Sequence, residues 1–376
     1  MEFNVKSKEL AVKLKIAAKV INTKSPLPIL GCFMFECQNG ILLVTASDGE
    51  QWLSQKQVIE NGGQESFKFC VPAMDLLRAI DNLNDVIVKF IIDESTNTFT
   101  CDYGNGKFSM AYESANEYPN AIASSDGAYG IIVDGKKILK AIELTGFATA
   151  VDELRPIMNG IHFDFLQDGM VSATTDGLKL ARYKDKTIVI DNNENTPNFT
   201  LPKKPANVLM TILNAFDGDV KLLFNDKMIS VSNKEFKLTA RLLESKYPNY
   251  NSVIPQNNPI TITADKTALL QALKRVLPMA SDSSCLVELD FQNGKVIVSA
   301  KDIDFSKSAS ETVVCDCDAE IKIGFKGSTL IDLLKNISDE NIVIELSEPN
   351  RAGVFYSAFE YTRDEYISLC MPMLIQ

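Results

Sequence analysis

Few residues of this sequence could do chemistry, and their spacing argues against catalysis. The one histidine, His162, lies in the strand-like segment GIHFDF, where a histidine between hydrophobic residues is more often structural than an acid or base. There is no Gly-x-Ser-x-Gly segment that would place a serine nucleophile. The segment GFKGST at residues 324–329 lacks the spacing of a phosphate-binding loop. We therefore predict that the protein is not an enzyme.

Two acidic pairs leave one enzymatic alternative open. Asp302 with Asp304 and Asp316 with Asp318 could suggest the metal-binding carboxylates of a nuclease or another hydrolase. We expect instead that these carboxylates lie at solvated strand edges or loops. The metal-dependent hydrolase stays a rival hypothesis, and it predicts a concave site of convergent carboxylates that loses activity on chelation.

The eight cysteines are scattered singly and lack the spacing of a zinc site. The closest pair, Cys315 and Cys317, would project to one face of a strand without supplying the four ligands of structural zinc. We therefore expect most cysteines to be reduced core residues. We predict no metal and no cofactor.

A basic stripe marks the first predicted helix, residues 7–20. Lys8, Lys15 and Lys19 follow at spacings of seven and four, which places them within about 20° of one another at roughly 100° per residue. The apolar residues of the opposite side are Leu10, Leu14, Ala17 and Ile21. Such a helix can pack on a sheet and turn its lysines to a polyanion, which it would bind through phosphates. The alternative is an ordinary solvated helix face.

The elements that position this helix occur three times along the chain at nearly equal spacing. The copies open at Phe3, Gly130 and Ile260, each with an extended stretch followed by an amphipathic helix. A turn-like dipeptide recurs in step at residues 39–40, 168–169 and 293–294. Repetition on this scale indicates three related domains. We place them at residues 1–124, 129–253 and 258–376.

Each copy reads as strand, helix, several alternating strands, a second helix and more strands. The second helices are predicted at residues 73–83, 204–216 and 328–337, each just after a proline or glycine landmark. Runs such as GILLVTAS and GKVIVSA are typical of strands with one buried face. The predicted fold class is α+β, with two helices packed on antiparallel sheets in each copy. The linkers are expected at residues 122–130 and 253–259.

Lysines recur at similar places in the repeat, which favours a shared surface over unrelated solvated faces. The candidates beyond the first stripe are Lys24, Lys136, Lys137, Lys140, Lys203, Lys204 and Lys274. The formal net charge of −11 argues on average against a nucleic acid partner. The two observations agree if the lysines gather on one surface and the carboxylates lie elsewhere. No stretch reaches the length of a membrane helix and no signal-type run opens the chain, so we expect a cytoplasmic protein.

Five segments, in order along the whole chain, resemble the bacterial sliding clamp, the β subunit of DNA polymerase III. They are SPLPIL after Lys24, RPIMNG from Arg155, TTDGLKLA from Thr174, YPNYNSVIP from Tyr247 and the terminal CMPMLIQ. The resemblance implies a non-catalytic processivity factor. It also implies a head-to-tail homodimer that closes a ring of six similar domains around double-stranded DNA, with helices lining the hole and sheets forming the outer wall.

The same resemblance implies a hydrophobic cleft between the second and third domains for short peptides with a glutamine and Leu/Phe anchors. The implied partners are the replicative DNA polymerase, the clamp loader, repair polymerases and mismatch-repair proteins. Carried over by motif, the cleft walls are Arg155, Met158, Thr175, Gly177, Leu180, Pro248, Val253, Leu369, Met371, Pro372 and Met373. Without the family, the methionines would be buried tail residues. A Met-rich ending also suits a groove that accepts several peptides.

The resemblance further implies that an edge strand of one chain meets a helix end of the other. The contact residues carried over are Phe108 and Met110 on the strand and Pro278 and Met279 at the helix end. The sequence departs from the family at Leu178-Lys179, where His-Arg is frequent, and at Leu374, where a basic residue is frequent. The peptide preference of the cleft is therefore expected to differ. The second rival hypothesis, a scaffold that binds proteins only, predicts no affinity for DNA rings.

Overall fold

The structure, a computed structural model, describes residues 1–61, 66–121, 128–190 and 196–375. The predicted end of the first domain at residue 124 lies outside these residues, as do most of the predicted linker at 122–130 and Gln376. The predicted linker at 253–259 is described.

One order of elements occurs three times in the described residues. The first copy contains β1 (Glu2–Lys6), α1 (Ser7–Ala18), β2 (Cys32–Gln38), β3 (Ile41–Ser47), β4 (Gln51–Val58), β5 (Phe67–Pro72), α2 (Ala73–Asp81), β6 (Ile87–Asp93), β7 (Thr98–Asp102), β8 (Lys107–Ala111) and the short β9 (Glu113–Ser114). The second contains β10 (Tyr129–Asp134), α3 (Gly135–Thr145), β11 (Gly160–Leu166), β12 (Gly169–Thr175), β13 (Lys179–Asp185), β14 (Asn198–Pro202), α4 (Lys203–Ala215), β15 (Asp219–Phe224), β16 (Met228–Ser232) and β17 (Phe236–Arg241). The third contains β18 (Ile260–Asp265), α5 (Lys266–Val276), β19 (Leu286–Gln292), β20 (Lys295–Asp302), β21 (Lys307–Asp316), β22 (Ile321–Lys326), α6 (Gly327–Lys335), β23 (Asn341–Leu346), β24 (Gly353–Ser357) and β25 (Tyr366–Cys370). The predicted α+β repeat is confirmed.

The helices end slightly earlier than the sequence pattern predicts. The first helix stops at Ala18 rather than residue 20, because Lys19 N bonds to Ile16 O in a tighter terminal turn. The helices α2 and α6 are followed by Asn82 and Asn336, whose side-chain amides donate to carbonyl oxygens of the last helical turn, those of Arg78 and Asp332. All three second helices begin within one residue of their predicted start.

The described chain divides into two compact units. The first comprises Met1–Lys136 with Lys204–Leu242, and the second comprises Lys137–Lys203 with Leu243–Gln376. The first unit has a four-stranded sheet of order β1-β6-β7-β8 and a nine-stranded sheet of order β10-β15-β16-β17-β4-β3-β2-β5-β9. The second unit has a 12-stranded sheet of order β14-β11-β12-β13-β25-β24-β23-β18-β21-β20-β19-β22.

Each unit contains a joint at which a sheet continues from one copy of the repeat into the next. In the first unit β4 pairs with β17 in antiparallel register, with Leu53 opposite Leu238. In the second unit β13 pairs with β25, with Ala181 opposite Ser368. Backbone hydrogen bonds therefore cross both copy boundaries. We call these two pairings the strand joints.

The helices pack on these sheets through the apolar sides that the sequence predicts. Leu10, Leu14 and Ala17 of α1 are fully buried. A cluster of aromatic rings fills the core of the first copy, where the centroids of Phe90 and Phe99 lie 4.7 Å apart in an edge-to-face arrangement. Such pairs stabilise a core beyond the area that they bury.

The three predicted turn landmarks are hairpin ends, as expected. Gly40, Gly169 and Gly294 join successive strands, and their φ values are +75°, +136° and +74°. Glycine reaches such angles without strain. A Cβ atom on Gly169 would lie 2.5 Å from Asp185 O, whereas one on Gly40 or Gly294 would have no described atom within 4 Å. A side chain at Gly169 would therefore collide with the end of the neighbouring strand β13, whereas one at Gly40 or Gly294 would not.

We predict that Gly169→Ala lowers the free energy of unfolding by about 2–3 kcal/mol, because both the backbone angle and the contact with Asp185 O oppose a side chain. Gly294→Ala is the matched control, and it should cost about 1 kcal/mol because only the backbone angle opposes it. Thermal unfolding of both variants checks the difference. Equal shifts in Tm would contradict the assigned contact.

Candidate nucleic-acid and partner-binding surfaces

The predicted basic stripe of α1 is exposed. Lys8, Lys15 and Lys19 all lie on the solvent side of the helix, opposite its buried leucines. Lys15 Nζ lies 2.5 Å from Asp81 Oδ1, and Lys19 Nζ donates to Thr211 Oγ1 at 3.0 Å. Exposed contacts of this kind contribute little to stability. The ammonium groups therefore remain available to a phosphate at small cost.

Four of the predicted lysines have ammonium groups without an ion-pair or hydrogen-bond partner among the described residues. They are Lys8, Lys24, Lys203 and Lys274, and all are exposed. An unpaired, exposed ammonium group loses only water and counterions when it meets a phosphate. These lysines have the chemistry that the prediction requires.

The lysines of α3 are more engaged. Lys136 Nζ contacts Asp217 Oδ1 at 2.9 Å and Leu213 O at 3.2 Å within the first unit. In the second unit Lys137 Nζ donates to Thr187 Oγ1, and Lys140 Nζ lies 4.6 Å from the centre of the Tyr361 ring. A phosphate would have to compete with these contacts. The lysines of α3 are therefore less available to a phosphate than the unpaired Lys8 of α1.

Lys204 has a partner that the sequence pattern did not indicate. Its Nζ lies 2.5 Å from Asp48 Oδ2 and 3.1 Å from Val20 O. Burial alone would raise the pKa of Asp48, but hydrogen bonds from Lys204 and from the amides of Glu50 and Gln51 hold that pKa below its ordinary value. Lys204 thus stabilises the turn between β3 and β4.

Two of the predicted cleft residues, Leu180 and Leu369, belong to a buried apolar cluster of the second unit. Leu180 and Leu369 lie opposite each other in the second strand joint. The cluster comprises Val171, Ala173, Leu180, Tyr247, Tyr250, Ile254, Ala352, Val354, Ile367 and Leu369. We call it the tyrosine cluster. The family resemblance implies only two of its members, Leu180 and Leu369, as cleft residues.

The TTDG turn joins three predicted cleft residues. Thr175 N donates to Tyr247 Oη at 3.1 Å, and Gly177 N donates to Thr175 Oγ1 at 3.0 Å. A Cβ atom on Gly177 would lie 3.3 Å from an Arg155 guanidinium nitrogen, so the absence of a side chain leaves room for that group. Asp152 holds Arg155 through Nε and Oδ2 at 2.9 Å. Arg155 therefore lies beside the turn, with its guanidinium group exposed.

The C-terminal segment is tied to the same unit by two backbone bonds. Met371 N donates to Leu178 O, and Met373 N donates to Gly324 O, both at 2.8 Å. Leu178, noted in the sequence only as a departure from the family, is thereby placed next to Met371. The feature of the sequence that could have indicated Leu178 as a site residue is an apolar side chain in a turn.

The predicted walls differ in exposure. Val253, Leu178 and Met371 are 55%, 61% and 39% exposed, and Pro248 is exposed as well. Met158 is buried, like Leu180 and Leu369, so these side chains can only support a surface from below. Pro372 and Met373 are half-buried, and their described contacts do not include the tyrosine cluster.

The predicted dimer residues lie at a sheet edge and at a helix end. Phe108 and Met110 are half-buried in β8, the last strand of its sheet. Pro278 and Met279 are exposed in the turn Leu277–Met279 that follows α5. Both positions can therefore reach another molecule.

The residues considered for catalysis have structural surroundings. His162 is 7% exposed and bonds through both ring nitrogens, to Thr200 Oγ1 at 2.9 Å and Asp164 Oδ1 at 3.2 Å. Cys315 and Cys317 are buried. The expectation of a solvated carboxylate is wrong for Asp302, which is buried and accepts a hydrogen bond from Phe305 N. Among the described residues, no group of three or more His, Cys, Asp or Glu side chains could hold a metal ion.

Family models of the DNA polymerase III beta subunit match the chain in three parts. The N-terminal domain matches residues 1–122, the central domain residues 132–249 and the C-terminal domain residues 251–373. The chain belongs to this family. Its function is that of a DNA sliding clamp, a non-catalytic processivity factor.

Relatives and solved structures of the family agree in extent and fold. The beta sliding clamp of Pseudomonas aeruginosa is 24% identical over 99% of this chain and 100% of its own length. That of Streptococcus pneumoniae is 23% identical over 99% of both. The crystal structure of the P. aeruginosa subunit has a TM-score of 0.92 at 24% identity, and that of Thermotoga maritima 0.90 at 22%, each covering 100% of both chains. The described helices include none long and apolar enough to span a membrane.

We predict that Lys204→Ala lowers the free energy of unfolding by about 1–3 kcal/mol, because it leaves the buried Asp48 carboxylate without its cation. The neighbouring Lys203→Ala should change it by less than about 0.5 kcal/mol, since that side chain is exposed. Denaturant unfolding of the two variants provides the comparison. Equal stabilities would show that the Asp48 contact is dispensable.

Proposed function

We propose that two copies of this chain close head to tail into a ring around double-stranded DNA. In this ring the clamp slides without sequence preference and holds the replicative DNA polymerase on its template. The observation that carries the proposal is the strand joint, which occurs twice within the chain. Each joint pairs the third strand after the first helix of one copy with the last long strand of the next copy. The third copy has one such third strand, β21, and the first copy has one such last strand, β8, and neither is used in a joint. The edge of β8 has no partner strand among the described residues, and β21 has a free edge beyond its short contact with β18.

The repeat predicts which residues meet at the ring-closing joint. In each copy one residue lies two positions before an aspartate; these are Ala46, Thr174 and Ala300. Their partners on the next strand are Leu53, Ala181 and Ala309, respectively, which are therefore equivalent positions of the repeat. Lys107 in β8 pairs with the last residue of β7, and Lys237 in β17 pairs with the last residue of β16. The two lysines are therefore equivalent, and so are the residues that follow them, Phe108 and Leu238. Because Leu53 lies opposite Leu238, we expect Phe108 to lie opposite Ala309 of the second copy.

This register is compatible with the predicted helix-end contact. The helix α5 packs against β21, where Arg275 forms a bidentate ion pair with Glu311. Met279 follows α5 and is 37% exposed. A strand added to β21 would therefore bring Phe108 and Met110 to the region of this turn. Two free ends of unlike kind generate a closed ring when the rotation between copies permits it.

The lysines supply the DNA-binding chemistry of the proposal. Phosphate contacts position a protein on DNA without reading its bases, which is what sliding requires. The exposed, unpaired Lys8, Lys24, Lys203 and Lys274 are the strongest candidates, and Lys15 and Lys19 need to exchange only weak exposed contacts. Lys204 contributes less, because its ammonium group already serves Asp48.

The tyrosine cluster and its rim supply the proposed partner site. An apolar floor with exposed Val253, Leu178 and Met371 around it suits the insertion of Leu and Phe anchors from an extended peptide. Arg155 offers an exposed hydrogen-bond donor beside the TTDG turn. The proposed partners are the replicative polymerase, the clamp loader, repair polymerases and mismatch-repair proteins. We also propose the domain boundaries 1–124, 129–253 and 258–376, and a cytoplasmic location, where bacterial DNA lies.

We predict that Ser109→Cys with Ser308→Cys forms an intermolecular disulfide, because the repeat-derived register places these two exposed residues opposite each other. Among the described native cysteines, Cys285 is half-buried and the others are buried. Cys285 is therefore replaced by serine in every sample, so that it cannot form a competing disulfide. Non-reducing electrophoresis should show a covalent dimer that reverts with a reductant.

The matched control for this crosslink is Ser109→Cys with Ser310→Cys, two residues out of register and also exposed. It should remain largely monomeric on the gel. Charged residues in place of Phe108 and Met110 should give monomers in light scattering, since buried anchors of this size are worth roughly 1.5–3 kcal/mol each. An unchanged dimer, or equal crosslinking of both cysteine pairs, would count against the interface.

We predict that replacing Lys8, Lys15 and Lys19 by Glu weakens retention on nicked circular DNA and flattens its salt dependence. Each lost phosphate contact removes about 0.9 from the slope of log K against log salt. Replacing the exposed Lys227, Lys234 and Lys237 by Glu changes the net charge equally and is the control. Linearising the DNA should release the unmodified protein. Identical salt slopes for the two variants would show that α1 does not face DNA.

We predict that deleting residues 371–376 abolishes peptide binding and leaves the dimer intact. The loss of two apolar contacts is worth roughly 3–6 kcal/mol, enough to move a micromolar peptide beyond detection. Deleting only residues 374–376 retains both methionines and should preserve most of the affinity. Calorimetry and size exclusion on the same samples decide the matter. Full affinity after the longer deletion, or collapse to monomer, would remove the C-terminal wall from the site.

A further inference from the structure

The segment of residues 247–253 has little secondary structure of its own. It carries the exposed Pro248 and Val253, and its one regular element is the short turn Tyr250–Val253. Two buried tyrosines, Tyr247 and Tyr250, fasten it to the tyrosine cluster. The position of this wall of the proposed cleft therefore depends on what holds those two rings.

Both rings contact the single histidine of the chain or its acidic partner. The ring of Tyr247 stacks on that of His162, with centroids 4.5 Å apart and planes 5° from parallel. Tyr250 Oη donates to Asp164 Oδ2 at 2.7 Å, and the other oxygen of Asp164 lies 3.2 Å from His162 Nε2. His162 Nδ1 lies 2.9 Å from Thr200 Oγ1. The five residues form one connected network.

The network reaches both sides of the cleft. Tyr247 Oη accepts the hydrogen bond from Thr175 N in the TTDG turn, so the ring stacked on His162 also fixes that turn. Burial alone would raise the pKa of Asp164, but hydrogen bonds from His162 and Tyr250 hold it below its ordinary value. The carboxylate therefore stays ionised and can accept both bonds at once.

We propose that His162 and Asp164 are positioning residues of the peptide cleft, which set the place of residues 247–253 without touching the peptide. A buried ionic network is a weak source of stability, since apolar side chains of similar volume stabilise a core as well. Directional bonds, by contrast, specify where each partner lies. The inference rests on the proposed peptide-binding function.

Tyr250→Phe tests the inference most directly, because it removes only the hydroxyl and leaves the ring in the tyrosine cluster. Tyr366→Phe is the matched control, since it also loses one hydroxyl bond, to Ser368, in the same unit. The probe is a synthetic peptide with one glutamine and leucine and phenylalanine anchors. Calorimetry should show its Kd rising about tenfold for Tyr250→Phe and less than about twofold for the control.

Hydrogen exchange separates positioning from general destabilisation. The amides of Thr175 and of residues 249–254 should exchange faster in Tyr250→Phe at similar Tm, and those of Tyr366→Phe should not. In a double-mutant cycle, Asp164→Asn should add little to Tyr250→Phe if both act through one bond. His162→Phe keeps the stacking on Tyr247 and loses the hydrogen bonds of both ring nitrogens. It should therefore lower the affinity for the peptide as much as Asp164→Asn does.

Two failures have different meanings. If the unmodified dimer does not bind the peptide at all, the proposed partner site is wrong. If it binds the peptide and Tyr250→Phe binds equally well, or loses no more affinity than Tyr366→Phe, then the positioning role is overturned and the network serves only the fold.

Discussion

The structure depends on the backbone hydrogen bonds that carry a sheet across each copy boundary. A strand joint fixes the register of two copies to a single residue, because a slip by one would turn every side chain to the other face. Leu53 and Leu238 face the helix side of the first joint, and Ala181 and Ser368 face it in the second. The helices, and the lysines that they carry, inherit their placement from this register.

The placement of the helices also determines where the basic side chains lie relative to the acidic ones. The chain has 49 acidic and 38 basic residues, so a basic surface requires that acidic side chains stay away from the exposed lysines. This separation is partial, because Lys15 lies against Asp81 and Lys136 against Asp217. A duplex would exchange these weak pairs for phosphates. Binding of this kind is loose and salt-sensitive, which suits the proposed ring, because encirclement rather than affinity would retain it on DNA.

Local features of the fold could be predicted from the sequence, and long-range ones could not. The helices α2, α4 and α6 and the three glycine turns follow from periodicity and turn chemistry, which act within a few residues. The contact of Lys204 with Asp48 joins residues that are distant in the chain, and nothing in either segment indicates it. The same holds for Tyr250 and Asp164.

In the candidate site, too, the sequence indicated which residues to consider but not how they pack. Motifs identified Thr175, Gly177 and Leu369 because a family resemblance fixes their order. They could not show that Met158 and Leu180 are buried while Leu178 is exposed, since burial depends on which strands pack together. Nor could they show that the His162 ring stacks on Tyr247, beside a wall of the proposed cleft. A lone histidine becomes interpretable only when its partners are in place.

The proposed ring also indicates where it should open. In the chain the first strand joint buries two leucines against the helix side, and its partners are held together by the connecting polypeptide. In the proposed joint between copies, Ala309 replaces Leu53, and the exposed Ser308 and Ser310 flank it on β21. No covalent link raises the effective concentration of the two edges there, whereas the connecting polypeptide holds each strand joint within the chain. We therefore expect the proposed ring to open at the joint between copies, which can separate without unfolding either chain.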